Sequence, residues 1–335
     1  MMDMMKVFAE LSSAYGPSGA EKNVAAVIEA LAAPYCHEMR RDTLGNLICH
    51  KKGSGPKVMF SAHMDSIGLV ATHIDEKGYI RVGAIGGVNP ANVLYTPVRF
   101  RNGTCGLIGA DMGTDVSKLK ISEIFIDIGV SSREEAEKLV RVGDVAVYNT
   151  VPTQAGNRVI APYTDDRIAC LVLLMAMEQL GETENDLYFV FSVQEELGLR
   201  GAKTAAWGVD PDYGIAIDVT PADDQPGSKH MVTSVLGGGA AVKVMDGSVI
   251  CHPAMVSMLM DLAEEKGIKA QRDVIRAGGT DAGAIHQTRA GVVTGGISIP
   301  CRYVHTPSEM VDLDDVKACA DLTAAFAKAK LEKEC

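Results

Sequence analysis

Apolar residues recur at helical spacing over residues 3–14 and 20–34, and Gly16-Pro17-Ser18-Gly19 breaks the pattern between them. Short strand-like runs follow at 44–51 (GNLICHKK) and 57–62 (KVMFSA), the second ending at His63-Met64-Asp65. From residue 69 the texture changes. Through residue 160, short β-type runs (YIRV, VRFR, FIDIGV, VAVYN) lie between Gly, Asn and Pro turns, with one helical stretch near 132–140. Closely spaced strands with turn signals predict a small β-barrel-like unit. Beyond 160 the pattern predicts helix 165–181, strand 187–193, helix 199–207, strands 213–219 and 240–245, helix 252–267, strand 292–299 and helix 312–333. Apolar strands alternating with helices predict an α/β fold, with a covered, largely parallel central sheet and helices on both faces. The economical division is one discontinuous α/β domain, 1–68 and 161–335, split by a β insert at 69–160.

Composition narrows the class. A chain of 335 residues holds about two domains and a core large enough to fold without a disulfide or metal staple. Thirty-two Lys and Arg against 43 Asp and Glu leave a formal charge of −11, with no basic run, so neither nucleic acid nor an acidic membrane is an expected partner. The longest strongly apolar run, Ile168 to Met177, is about half a membrane span. The N-terminus has neither the basic nor the apolar region of a signal peptide, which predicts a soluble, unexported, cytoplasmic protein. Eight cysteines (36, 49, 105, 170, 251, 301, 319, 335) show no CxxC pair and are expected to be mostly buried free thiols.

The candidate chemistry lies where apolar strands end. His63 and Asp65 follow VMFSA, Glu195 and Glu196 follow YFVFSVQ, Asp218 follows GIAI, and His305 comes shortly after GGISIP. Open α/β sheets bind ligands outside the carboxyl ends of their strands. Singly, each residue fits a bland role: His63 a satisfied, partly buried imidazole, Asp218 a turn starter, Asp165-Asp166 an N-cap and dipole partner for the long helix. Four strand ends delivering them to one crevice do not. A mixed His/carboxylate set suits Zn²⁺, Co²⁺ or Mn²⁺. It is too large for one tetrahedral site; five ligands with one shared carboxylate fill two.

Six motifs stand in order: His63-Met64-Asp65-Ser66-Ile67-Gly68, Asp165-Asp166-Arg167, Gln194-Glu195-Glu196-Leu197-Gly198, Ala216-Ile217-Asp218-Val219-Thr220, Gly278-Gly279-Thr280-Asp281-Ala282-Gly283 and Arg302-Tyr303-Val304-His305. Over essentially the whole chain this resembles the M42 metallo-aminopeptidases, the family of the tetrahedral (TET) peptidases and of bacterial glutamyl aminopeptidases. The resemblance implies a split catalytic domain with an inserted dimerisation domain. It implies two divalent ions per subunit, zinc or cobalt first and manganese next: one on His63 and Asp218, the other on Glu196 and His305, with Asp165 bridging. Asp65 would hydrogen-bond the second imidazole nitrogen of His63, a cis peptide would join Asp165 to Asp166, and Glu195 would be the general base. Ser66 replaces a Glu common in the family, at a position that is not a ligand. Adjacent strand residues point to opposite faces, so Glu195 and Glu196 can share a site only if the strand has ended, as Leu197-Gly198 suggests. The implied substrates are peptides with a free N-terminus, and the implied assembly is a homo-oligomer, a dodecamer built from dimers.

Several features carry two readings. Gly278 to Gly283 is either a loop and helix start capped by Thr280 or Asp281, or a segment against which substrate lies. Arg302 is either a structural ion-pair partner or an attractor of acidic side chains. Gly237-Gly238-Gly239 lacks the GK[ST] of a phosphate loop, and His230, His252 and His286 read as structural. The rival activities are hydrolysis of acylated amino acids, endoglucanase action, and a non-catalytic peptide-binding role, which would have no use for Glu195.

Overall fold

A computed structural model describes residues 2–229 and 231–332; His230 and Cys335 lie outside the described residues. The large sheet has eleven strands. Its centre is parallel, in the order Asp186–Ser192, Lys57–His63, Tyr213–Pro221 and Val293–Arg302. These strands are buried along nearly their whole length, as the near-continuous apolar runs require for a sheet covered on both faces. Alternation sorts them. Leu47, Cys49, Val58, Phe60, Phe189 and Phe191 pack into the larger core with helices Thr164–Gln179 and Leu313–Lys328. Ile48, Met59 and Val190 face the other way, against helices Arg200–Val209 and Ala282–Ile285. Helices therefore cover both faces, as expected.

The flanks of the sheet are antiparallel. The hairpin Glu38–Arg41/Leu47–Lys51 extends one side; Glu309–Asp312, Arg158–Ala161 and Thr153–Ala155 extend the other. A parallel pair, Ala240–Met245 and Ala270–Val274, branches from Val293–Arg302. Parallel neighbours need long crossovers, whereas flanking hairpins close over a few residues. The outermost Glu38–Arg41, EMRR, carries three charges, which discourages further pairing at that edge.

Six antiparallel strands close into a barrel: Gly68–Ile74, Ile80–Ile85, Ile124–Asp127, Cys105–Ala110, Pro97–Phe100 and Val145–Tyr148. It has its own core around Leu69, Val82, Val98, Phe100, Ile108 and Ile126. Closure leaves no free edge. The barrel strands end at Tyr148, and the hairpin at 153–161, expected within the β insert, pairs in the large sheet instead. Cys49, Cys170, Cys251, Cys301 and Cys319 are buried free thiols, Cys36 is half-buried and Cys105 exposed. No helix among the described residues is long and apolar enough to cross a membrane.

Candidate active site

The parallel strands all run towards one edge, and their ends deliver the donors. His63 is the last residue of its strand, and Asp218 lies near the end of the neighbouring one. Past Ser192 the backbone turns into the left-handed region at Gln194 (φ 53°), and again at Leu199 (φ 58°). That break in the strand is what lets Glu195 and Glu196 enter one cavity. Tyr303 and His305 are left-handed as well (φ 61° and 62°). Non-glycine residues in this region are concentrated at functional sites. The Asp165–Asp166 peptide is cis, and both residues depart from helical geometry. Neither caps the helix as the simpler reading had it. Asp166 Oδ2 instead accepts the backbone N–H of His63 at 3.1 Å.

Asp165 is central. Its Oδ1 lies 3.0 Å from His63 Nε2 and its Oδ2 3.2 Å from His305 Nε2. Glu196 Oε1 is 3.4 Å from His305 Nε2, and Asp218 Oδ1 is 3.9 Å from His63 Nε2. Two triads result, His63/Asp165/Asp218 and Asp165/Glu196/His305, each with ligand atoms within 4.8 Å of one another. Glu195 belongs to neither, and its Oε2 stands 3.9 Å from His63 Nε2.

The electrostatics call for positive charge. Burial, and after it the facing carboxylates, hold Asp166, Glu195 and Asp218 well above the ordinary carboxyl range. Burial disfavours a charged His305, but hydrogen bonds to Asp165 and Glu196 outweigh it and push the imidazole up to about 12. His63 is raised against burial in the same way, by Asp165 and Asp65. Glu196 Oε1 is buried with the long 3.4 Å contact to His305 Nε2 and no well-formed hydrogen bond among the described residues. A buried carboxylate oxygen so weakly satisfied inside an N/O donor set of this density fits a divalent cation.

Supporting residues fix the donors. Asp65 accepts from Ser18 Oγ at 2.6 Å and from the backbone N–H groups of Glu195 and Glu196 at 2.9 and 3.3 Å. His63 Nδ1 is 3.2 Å from the backbone carbonyl oxygen of Asp65 and 3.4 Å from its Oδ1, so this one residue holds the ring through its main chain and both glutamates through its carboxylate. Glu309, which the sequence reading missed, is 2 % exposed. It accepts the backbone N–H of Asp165 at 2.9 Å and of His305 at 2.7 Å. Its short strand, Glu309–Asp312, carries an acid at each end, and nothing in that pattern singles out Glu309. Arg167, fully buried, donates to the carbonyls of Leu11, Ala14 and Gly16 at 2.8, 3.2 and 2.9 Å, tying the N-terminal segment to the site.

Gly86-Gly87, also missed, sits just beyond a barrel strand. A Cβ on Gly87 would meet His305 Nδ1 at 2.5 Å, and one on Gly86 (φ 73°) would meet Glu196 Oε2 at 2.9 Å. Only glycine admits this approach. Asp281 stands at the N-cap of its helix, but its side chain makes no capping bond; its Oδ2 accepts from Ser61 and Ser192, both at 2.6 Å, joining the Gly-rich segment to two core strands. Arg302 forks onto Asp224 at 2.6 and 2.8 Å, which is the structural reading. Gly237 and Gly239 donate their N–H groups to Asp315, so the chain's own carboxylate fills that loop. His252 and His286 take no part in either triad.

The donors line a cavity of about 590 Å³ that reaches from the strand ends to the Gly278-Gly279-Thr280 loop. A larger one, about 1030 Å³, lies between helices Pro253–Lys266 and Leu313–Lys328, away from both triads.

Residues 45–322 match the family profile described as M42 glutamyl aminopeptidase. The lysyl aminopeptidase of Pyrococcus furiosus is 41 % identical over 88 % of this chain and 87 % of its own. An aminopeptidase from the archaeon Desulfurococcus kamchatkensis superposes with a TM-score of 0.94 at 40 % identity, covering 98 % of this chain and 95 % of its own. A Pyrococcus horikoshii TET1 peptidase, described as assembling into a tetrahedron or a large octahedral shell, does so with a TM-score of 0.87 at 30 % identity, over 97 % and 99 %. With six motifs, a matched fold and a donor cluster at the strand ends, the chain belongs to the M42 family and is an aminopeptidase.

Proposed function

We propose that the chain is a dinuclear aminopeptidase, with His63, Asp165 and Asp218 holding one divalent ion and Asp165, Glu196 and His305 the other. The observation that supports it best is Asp165, with one carboxylate oxygen against each histidine. Nitrogen and oxygen donors suit zinc or cobalt first, then manganese. Bound there, such ions would polarise the scissile carbonyl and lower the pKa of water. Glu195, outside both triads, takes a proton from the attacking water and delivers it to the departing amine. Asp65 is the positioning residue: it fixes the His63 ring and the peptides of both glutamates.

The anionic lining receives the free α-ammonium of a peptide. An N-acetyl cap removes that charge, so acetylating a good peptide substrate is expected to lower its hydrolysis about tenfold or more. If the capped peptide is cut as fast as the free one, hydrolysis of acylated amino acids is the better reading. Endoglucanase action fits poorly, since a glycosidase sets two carboxyl groups astride a sugar bond, whereas here the carboxylates are packed around two imidazoles.

The barrel, which begins one residue before the expected insert 69–160 and ends inside it, serves as the dimerisation unit of the discontinuous catalytic domain, and the subunits assemble as a dodecamer. The shell-forming TET1 peptidase supports this. Light scattering at micromolar concentration is expected to give a particle near twelve subunits. A fully active monomer would contradict the assembly, and a stable dimer only its size. The free thiols fit a reducing compartment, the cytoplasm.

A further inference from the structure

We propose that the cavity selects peptides whose first side chain is apolar and uncharged, of the leucine or methionine class. The proposal rests on the aminopeptidase reading above and names the substrate of the same site. The charged groups lining the cavity are His63, Asp165, Glu195, Glu196, Asp218 and His305, all of them committed to the donor triads or the base. The rest of the cavity wall is Leu199, Val219, Pro221, Ile275 and Val304, with Thr280 and otherwise glycine or alanine. A peptide whose amine and first carbonyl sit at the donors must place its first side chain against this wall.

Among the described residues, no Lys or Arg lines the cavity. Thr280 Oγ1 is turned away and donates to Asp246 Oδ2 at 3.3 Å. Lys243 is buried against Asp273 at 2.6 Å and Arg302 is forked onto Asp224, while Arg276, between Ile275 and Ala277, is exposed and does not line the cavity. A glutamate side chain would lie on apolar carbon without a cation. A lysine ammonium would reach carboxylates only in competition with the α-amine and the proposed ions. An unpaired charge against apolar surface is costly, while an apolar side chain gains from burial.

The wall is fixed in place. Ile275 N–H donates to Met245 O at 3.1 Å, and Ser248 and Asp246 hold Thr280 from behind. A Cβ on Gly247 would meet Gly278 O at 2.5 Å, so the two loops are in close contact. Although the family profile is named for glutamyl and the Pyrococcus furiosus relative for lysyl substrates, this pocket has the complement of neither.

The test uses the native, metal-loaded protein with the 4-nitroanilides of leucine, methionine, glutamate and lysine. Leucine and methionine are expected to exceed glutamate and lysine in kcat/KM by about tenfold or more. If glutamate or lysine equals or exceeds leucine, the apolar assignment is overturned and the aminopeptidase reading stands. If none of the four is hydrolysed, that reading falls and takes the proposal with it. Ile275→Glu supplies a second arm, in which the leucine-to-lysine ratio is expected to drop about tenfold or more. A folded variant with an unchanged ratio would show that Ile275 does not face the first side chain. If the variant does not fold, the native panel decides.

Discussion

Glu195→Gln is expected to lower turnover by about 10²–10⁴, roughly 3–5 kcal/mol of transition-state stabilisation, without loss of bound metal. Gln keeps the size of the side chain and its hydrogen-bonding capacity but has no basic oxygen to take a proton from water. The link from Glu195 to Asp65 is made by the backbone N–H at 2.9 Å, so the substitution leaves the peptide in place. Neither triad includes Glu195. Glu196→Gln is the matched control. Its Oε1 belongs to the second triad, so that variant is expected to lose affinity for one ion and to regain part of its activity in excess metal. Turnover and metal content measured side by side separate the two. Near-wild-type turnover in a Glu195→Gln protein that still holds two ions would remove Glu195 from the base role.

The contrast between these neighbours shows how far the sequence carries. That both glutamates enter one cavity required the strand to end before them, and Leu197-Gly198 signalled that end. The structure makes the break earlier, at a left-handed Gln194, for which side-chain type gives no warning. His63, Asp218 and the parallel core were legible because apolar runs of strand length stop abruptly at polar residues. Glu309 was not, because its work is done on backbone N–H groups of residues 144 and 4 positions away. Nothing in its local pattern reports such partners. Gly86-Gly87 read only as a turn, since the site atoms that a Cβ would meet belong to His305 and Glu196, far along the chain, beside the nearer Ile67. The outer strand EMRR escaped for a related reason. An edge strand buries little, so no apolar alternation marks it. The hairpin at 153–161 was grouped with the β insert by its texture, although its pairing partner is the distant Glu309–Asp312.

Asp165→Asn should have the widest effect on the site, because one carboxylate serves both triads. The substitution keeps the shape, removes the charge and leaves one carbonyl oxygen where two oxygens now face His63 and His305 at 3.0 and 3.2 Å. The amide nitrogen, a donor, must then face one of the two sites, where it repels a cation. Loss of an outer partner of a metal ligand already weakens binding about 10–100-fold, and a shared ligand should exceed that at both sites. Turnover is therefore expected to fall by more than about 10³, beyond rescue by metal at concentrations that restore Glu196→Gln. Thermal unfolding gives a readout independent of activity. A ligand at 100 times its Kd stabilises the folded state by about 2.7 kcal/mol, so the wild-type protein should gain several degrees on metal addition. Asp165→Asn should lose most of that gain, whereas Glu195→Gln should keep all of it. If Asp165→Asn retains both the metal-induced shift and two ions per subunit, the bridging role belongs to another carboxylate, and Asp166, whose Oδ1 is buried without a hydrogen bond, is the next to test.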